Sequence, residues 1–202
     1  MKILMFVFSI IIGGFTQASD FEYIGSNKCK TCHQKEEKGA QYVKWNESRH
    51  GNAFATLMSE AAVEIANKME LKTAPHESPE CVGCHTTGYA KGGFEIKDAA
   101  FYAPAEDDKA GIKDAKRMEN LKNVGCENCH GPGSEYKSKK VMQAIYDGTE
   151  KGDGYGMLTV SKETCLQCHN EKSPTFDKEK PFNFDESMAK IAHKIPVEVP
   201  TK

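Results

Sequence analysis

Apolar positions recur at helical spacing in three stretches of this chain, and the sequence between them is polar and rich in turn residues. Over residues 41–57, Val43, His50, Phe54 and Leu57 fall on one face of a 3.6-residue period, which predicts a helix with a histidine on its apolar stripe. Residues 60–72 predict a second helix, with Ala62, Ile65, Ala66 and Met69 on its packing side. A terminal helix is expected from about Asp185, which suits an N-cap, with Met188, Ile191, Ala192 and Ile195 as its stripe. Pro196 and Pro200 end that helix, and the tail beyond is expected to be disordered. A short charged helix over residues 113–122 and a turn with a short strand over residues 91–96 complete the regular elements.

The connections carry their own signals. Pro75-His76-Glu77-Ser78-Pro79 is a constrained loop, and Gly131-Pro132-Gly133 is a rigid turn that lets backbone pass close to another group. Residues 148–156 hold four glycines and predict a mobile loop without the spacing of a phosphate cradle. Glu106-Asp107-Asp108 beside Lys109 reads as a solvated surface. At the N-terminus, Met1-Lys2, an apolar run over residues 3–12 and a small-residue exit form a secretory signal, with cleavage expected after Ala18. The run is about ten residues against the roughly twenty that a membrane helix needs, so the competing reading of an uncleaved anchor is the weaker one. Residues 1–18 are therefore read as a signal peptide and residues 19–202 as one exported domain, periplasmic or extracellular, with no membrane span after cleavage.

Composition sharpens the problem. Mean hydropathy is −0.59, and a chain this polar has trouble filling a core with its own side chains. The net charge is −2 without a basic stripe, which gives no support to nucleic-acid binding. The missing apolar bulk has a candidate in the cysteines. All eight lie in four copies of one pattern: Cys29-x-x-Cys32-His33, Cys81-x-x-Cys84-His85, Cys126-x-x-Cys129-His130 and Cys165-x-x-Cys168-His169. Cys-x-x-Cys-His is the attachment signature of c-type haem: two thiols three positions apart reach the two vinyl groups on one porphyrin edge, and the next histidine ligates the iron from the proximal side. Zinc sites or a disulfide framework would use the cysteines but give no reason for a histidine after every second one. Four covalently bound haem c groups are therefore expected, and with them a mostly α fold: a haem-packed core with sparse helices, long loops and little β.

Four irons have eight axial positions, and the chain has seven histidines. With His33, His85, His130 and His169 proximal, only His50, His76 and His193 are left for four distal positions. His50 on its apolar stripe and His193, beside the small Ala189, are read as distal ligands. For His76, a distal ligand and a solvated loop histidine compete evenly. At least one iron is not bis-histidine within the chain; its sixth position is open, or filled by Met, Lys, Tyr or a neighbouring chain.

These motifs resemble the tetrahaem cytochrome c-554 family, known from ammonia-oxidising bacteria, and the haem core it shares with hydroxylamine oxidoreductase. The resemblance rests on Lys28–His33, Trp45-Asn-Glu-Ser-Arg-His50, Cys81-Val-Gly-Cys-His85 with Gly88-Tyr89 and Gly92-Gly93-Phe94, Gly125-Cys-Glu-Asn-Cys-His-Gly-Pro-Gly133, and Phe184-Asp-Glu ending in His193. It implies haems in stacked pairs, bis-histidine haems at the first, third and fourth motifs, and an open haem at the second. By the same resemblance His193 serves the first haem, His50 serves the third, and Pro181-Phe182 lie near the open site. One departure stands out. The family supplies the fourth haem's distal histidine shortly after Gly-Pro-Gly, where this chain has Ser134-Glu135-Tyr136-Lys137. Either His76 is recruited or a second haem also lacks bis-histidine ligation; Tyr136 is either a ligand there or an ordinary hydrogen-bonded tyrosine.

The function expected is electron relay between redox protein donors and acceptors, which the resemblance extends to hydroxylamine oxidoreductase-like or quinone-linked cytochromes. Two rivals are carried: reduction or detoxification of nitric oxide or nitrite at an open haem, and a subunit of a conductive filament.

Overall fold

The computed structural model describes residues 21–193 and 195–196; the signal peptide read over residues 1–18 and the tail beyond Pro196 lie outside the described residues. Its helices are short. In chain order they are α1 (Asn27–His33), α2 (Gln41–Asn46), α3 (Ala53–Thr56), α4 (Glu60–Lys68), α5 (Pro79–His85), α6 (Lys109–Asn120), α7 (Cys126–His130), α8 (Lys139–Tyr146), α9 (Lys162–Leu166) and α10 (Phe184–Ile191). Single 3-10 turns lie between several of them. Among the described residues extended pairing is confined to an isolated antiparallel bridge of Thr86 with Lys122, so the fold is mostly α.

Local hydrogen bonding decides where the elements stop. The helix expected over residues 41–57 breaks into α2, a 3-10 turn at His50–Asn52, and α3. Ser48 donates to the Trp45 carbonyl at 2.6 Å and accepts from Gly51 N–H at 3.2 Å. The Asn52 amide donates to the carbonyls of Asn46 and Ser48 at 3.0 and 2.9 Å. Side chains that satisfy backbone carbonyls in this way compete with the helix ladder and end it. Helix α4 is capped by Ser59, which accepts from Ala62 N–H, and stops before the left-handed Glu70 (φ 55°), earlier than its periodicity suggests. Asp108, expected to be merely solvated, accepts from Gly111 N–H at 2.9 Å and so starts α6 ahead of the expected position. In α10 the N-cap is Asn183, not Asp185, and the helix closes at Ile191, leaving His193 beyond it in extended chain.

No strand forms over residues 94–96. Phe94 N–H instead bonds the Thr87 carbonyl at 2.8 Å, folding the segment back on the turn at Gly88. The glycine-rich loop is also built rather than loose: it contains a 3-10 turn at Gly152–Tyr155, and Leu158 N–H reaches the His130 carbonyl at 2.9 Å.

The side-chain core is small: Leu57, Val82, Phe94, Met118 and Leu121, with Tyr23, Phe54, Tyr89, Phe101 and Tyr102 packed around them. It supports only the second motif, through Val82 in α5. The third motif is held by polar contacts instead. Glu127, 2 % exposed, accepts from Ile24 N–H (2.9 Å), Gly25 N–H (2.7 Å) and Gly133 N–H (2.7 Å). Burial pushes its carboxyl up, opposed by these three donors and by the Arg117 guanidinium. Leaving buried donors unpaired costs about 1–3 kcal/mol each. Glu127→Ala is therefore expected to lower the stability of the holoprotein by about 3 kcal/mol or more, and Glu127→Gln by less because one oxygen still accepts. Denaturant midpoints followed by far-ultraviolet circular dichroism check the order.

Candidate haem site

In each motif the two cysteines stand one helical turn apart. The first three motifs end α1, α5 and α7; the fourth starts in α9 and continues as a turn in which His169 N–H bonds the Cys165 carbonyl at 3.0 Å. One turn of helix sets both sulfurs on the same face and leaves the histidine at the helix end, free to swing under a flat group held by the two sulfurs. All eight cysteines are free of disulfides. Among the described residues no three His, Cys, Asp or Glu side chains converge as an ion would require, so a Cys₄ zinc arrangement is not formed.

The motifs neighbour one another in an order that differs from the sequence. The thiols of Cys29 and Cys126 lie close enough to perturb each other's ionisation, which places the first motif beside the third. Cys129 lies within electrostatic reach of Cys165, which joins the third to the fourth. The thiols of Cys84 and Cys168 lie close enough to perturb each other's ionisation, and Lys91 Nζ donates to Gln167 Oε1 at 3.0 Å, which places the fourth motif beside the second. The spatial series is first, third, fourth, second.

Two of the other three histidines face motif histidines. The rings of His50 and His169 have centroids 6.1 Å apart, and those of His130 and His193 are 5.9 Å apart. With metal–imidazole bonds of about 2 Å, two rings across one iron have centroids about 6 Å apart. The spacing fits a haem iron between each pair. His50 thus faces the histidine of the fourth motif and His193 that of the third, whereas the resemblance implied the third and the first. His76 is not brought to a motif histidine; its Nε2 faces Glu77 at 3.9 Å.

Several imidazoles have a nitrogen already committed. Nδ1 of His85 donates to the Ala53 carbonyl at 2.7 Å, Nδ1 of His193 to the Ile191 carbonyl at 3.1 Å, and Nδ1 of His33 to Gln41 Oε1 at 3.4 Å. Each bond leaves the Nε2 lone pair as the ligating one and fixes the ring's orientation. Burial depresses His50, His130 and His169, with His169 adding to the effect on His50, and His193 and His33 to that on His130. The shift in each case favours the neutral form, which is the form that ligates a metal.

His50 owes its place to the broken helix. Its carbonyl accepts from Val124 N–H at 3.1 Å, and the Val124 carbonyl accepts from Trp45 Nε1 at 2.8 Å. Phe182 stacks on His169 with centroids 4.6 Å apart and planes at 15°, so it borders the fourth motif. Tyr136 is hydrogen-bonded, its hydroxyl donating to the Gly131 carbonyl at 2.6 Å. The Ala53 carbonyl escaped the sequence reading because a backbone acceptor has no residue signature; Gln41, eight residues past His33, left only a polar residue beside a polar turn.

A family model for cytochrome c554 and c-prime matches residues 28–106 and 101–131, a span that includes the first three motifs. Cytochrome c-554 from Nitrosomonas europaea is 27 % identical over 206 aligned residues, covering 90 % of this chain and 78 % of that protein. The solved reduced state of cytochrome c554 from Nitrosomonas europaea superimposes with a TM-score of 0.58 at 27 % identity, covering 88 % of this chain and 86 % of that one.

A β-carbon at Gly51 would lie 2.3 Å from the Trp45 carbonyl oxygen. Overpacking of this kind costs about 1–3 kcal/mol. Gly51→Ala is expected to destabilise the protein by that amount and to disturb the low-spin spectrum of the haem that His50 faces, read by thermal melting and by absorbance in the visible bands.

Proposed function

Because the chain belongs to the cytochrome c554 and c-prime family, and is a c-type cytochrome that carries electrons, we propose that it holds four covalent haems and relays electrons along them between redox proteins outside the cytoplasm. Haem c when bound supplies one-electron transfer at its iron. The chain's own residues do the rest. Cys29 and Cys32, Cys81 and Cys84, Cys126 and Cys129, and Cys165 and Cys168 anchor the groups, and His33, His85, His130 and His169 are the proximal ligands. His193 and His50 are the distal ligands at the third and fourth motifs.

The observation that carries this reading is the contiguity of the motifs: cysteines of each lie within electrostatic reach of the next, in the order first, third, fourth, second. Groups anchored at neighbouring sulfurs have edges close enough for electrons to pass without a diffusing carrier. The imidazoles of His33, His85 and His193, with their Nδ1 atoms tied to the protein, are held against movement when an iron changes charge. Among the described residues no helix is long and apolar enough to cross a membrane, and export through the signal over residues 1–18 would put the relay beside partner cytochromes, including hydroxylamine oxidoreductase-like or quinone-linked ones.

The holoprotein is expected to weigh four haems more than residues 19–202 by intact mass and to take up four electrons per chain in a redox titration; fewer than four of either removes the tetrahaem reading. Replacing His50 or His193 by alanine should convert one low-spin iron to high-spin in each case. An unchanged electron paramagnetic resonance spectrum would strike that residue from the ligand set.

A further inference from the structure

Glu127 is a buried carboxylate that haem attachment does not use. It stands beside Cys126 in the third motif, 2 % exposed, and its oxygens accept from Ile24 N–H, Gly25 N–H and Gly133 N–H at 2.9, 2.7 and 2.7 Å. Every one of these partners is a donor. A protonated carboxyl would have to turn its O–H toward N–H groups, so the contacts select the carboxylate, although burial alone works the other way. Arg117 lies within electrostatic reach, but its guanidinium bonds the carbonyls of Tyr23 at 3.0 Å and Gly92 at 2.7 Å instead. The interior thus holds an anion chiefly by backbone N–H groups.

The anion sits at the junction of two motifs. Gly25 and Ser26 lead directly into α1: Cys29 N–H bonds the Ser26 carbonyl at 3.0 Å, and Ser26 Oγ accepts from Cys126 N–H at 3.1 Å. Cys29 and Cys126 both lie within electrostatic reach of Glu127, as do Tyr23 and Tyr136. The charges near the second and fourth motifs are of another kind. Lys172 lies within reach of Cys84, Lys91 of Cys168 and Glu80 of Cys81, and all three charged residues are exposed. Lys28 and Lys30, next to and within the first motif, are exposed as well. Water and salt screen such charges, whereas a charge in a water-poor interior is screened far less.

We infer that Glu127 is a fixed interior anion that lowers the reduction potentials of the haems on the first and third motifs and leaves those on the fourth and second unmoved. The inference rests on the tetrahaem reading and adds a potential-setting residue to it. A negative charge stabilises ferric iron over ferrous, so an electron added to either haem meets a repulsion that is absent further along the series. Glu127 takes no part in the transfer: each iron gains or loses one electron, and the carboxylate keeps its charge throughout. The consequence is a bias. Electrons arriving at the first motif are driven on through the third toward the fourth and second.

The test is a potentiometric titration of the intact holoprotein beside its Glu127→Gln variant, which keeps the side chain's shape and one accepting oxygen. A unit charge at about 10 Å, through an effective dielectric of about 20, changes an equilibrium constant by roughly tenfold. Two of the four midpoints should therefore rise, each by about 59 mV for a tenfold change in a one-electron couple, and two should stay. The sign separates charge from structure, because a loosened site admits water, which favours the more highly charged ferric iron and lowers a potential. Four unmoved midpoints, a fall, or a rise in all four overturns the inference. So does an equal rise in Glu127→Asp, which keeps the charge. In the His193→Ala background the high-spin signal reports the third motif's iron, and its midpoint should rise with Glu127→Gln. In the His50→Ala background it reports the fourth's and should stay; a rise there overturns the inference. Fewer than four haems by pyridine haemochrome absorbance instead overturns the tetrahaem reading, and this inference falls with it.

Discussion

A carboxylate buried at position 127 ties two further pieces of chain to its own helix at once. Glu127 lies between the two cysteines of the third motif and accepts from backbone N–H groups at residues 24, 25 and 133. The adjoining residues extend the same hub. Cys126 N–H bonds Ser26 Oγ at 3.1 Å, Asn128 Nδ2 bonds the Thr86 carbonyl at 3.0 Å, and Gly125 N–H bonds Thr87 Oγ1 at 3.0 Å. Val124 fastens His50, and the His130 carbonyl fastens Leu158. The N-terminal segment, the segment after the second motif, the turn that carries His50 and the approach to the fourth motif all meet at residues 124–133. Charge-assisted bonds in a water-poor site are the strong ones, and they do here what an apolar core does in a chain with longer helices.

This dependence on polar clamps follows from how the chemistry occupies the sequence. A Cys-x-x-Cys-His motif uses most of a short helix for attachment, and in α1, α7 and α9 it leaves no buried apolar residue. Only α5 places a side chain, Val82, in the main core. Turns between such helices must be fixed by hydrogen bonds if the motifs are to keep a constant separation. The glycines serve the same end: a β-carbon at Gly131 (φ 80°) would lie 2.2 Å from the Gly156 carbonyl oxygen, so the turn after the third motif and the one before the fourth approach as closely as backbones can.

What was legible in the sequence is what is covalent or strictly local. The attachment motifs, the α4 stripe and the helical class follow from spacing alone. The break in the helix expected over residues 41–57 does not, because the apolar period runs through it; the competing bonds of Ser48 and Asn52 decide, and a periodicity count is blind to them. Nor is the pairing of His50 with His169 or His193 with His130 legible, since each joins positions far apart in the chain and is fixed by which segments Glu127 and Val124 gather. Counting histidines shows a shortage of distal ligands. Where the shortage falls is a question of topology.

That topology also explains why the order of the motifs in space is not their order in the chain. The third motif is the hub, so it has neighbours on two sides: the first motif through Cys29 and Cys126, and the fourth through Cys129 and Cys165. The second motif is anchored to the small apolar core through Val82 and lies beside the fourth at Cys84 and Cys168. The two motifs in the middle of the series are the ones whose histidines face a second imidazole. Those of the outer motifs are held at Nδ1 by Gln41 and by the Ala53 carbonyl. The division of labour is set by where polar clamping ends and apolar packing begins.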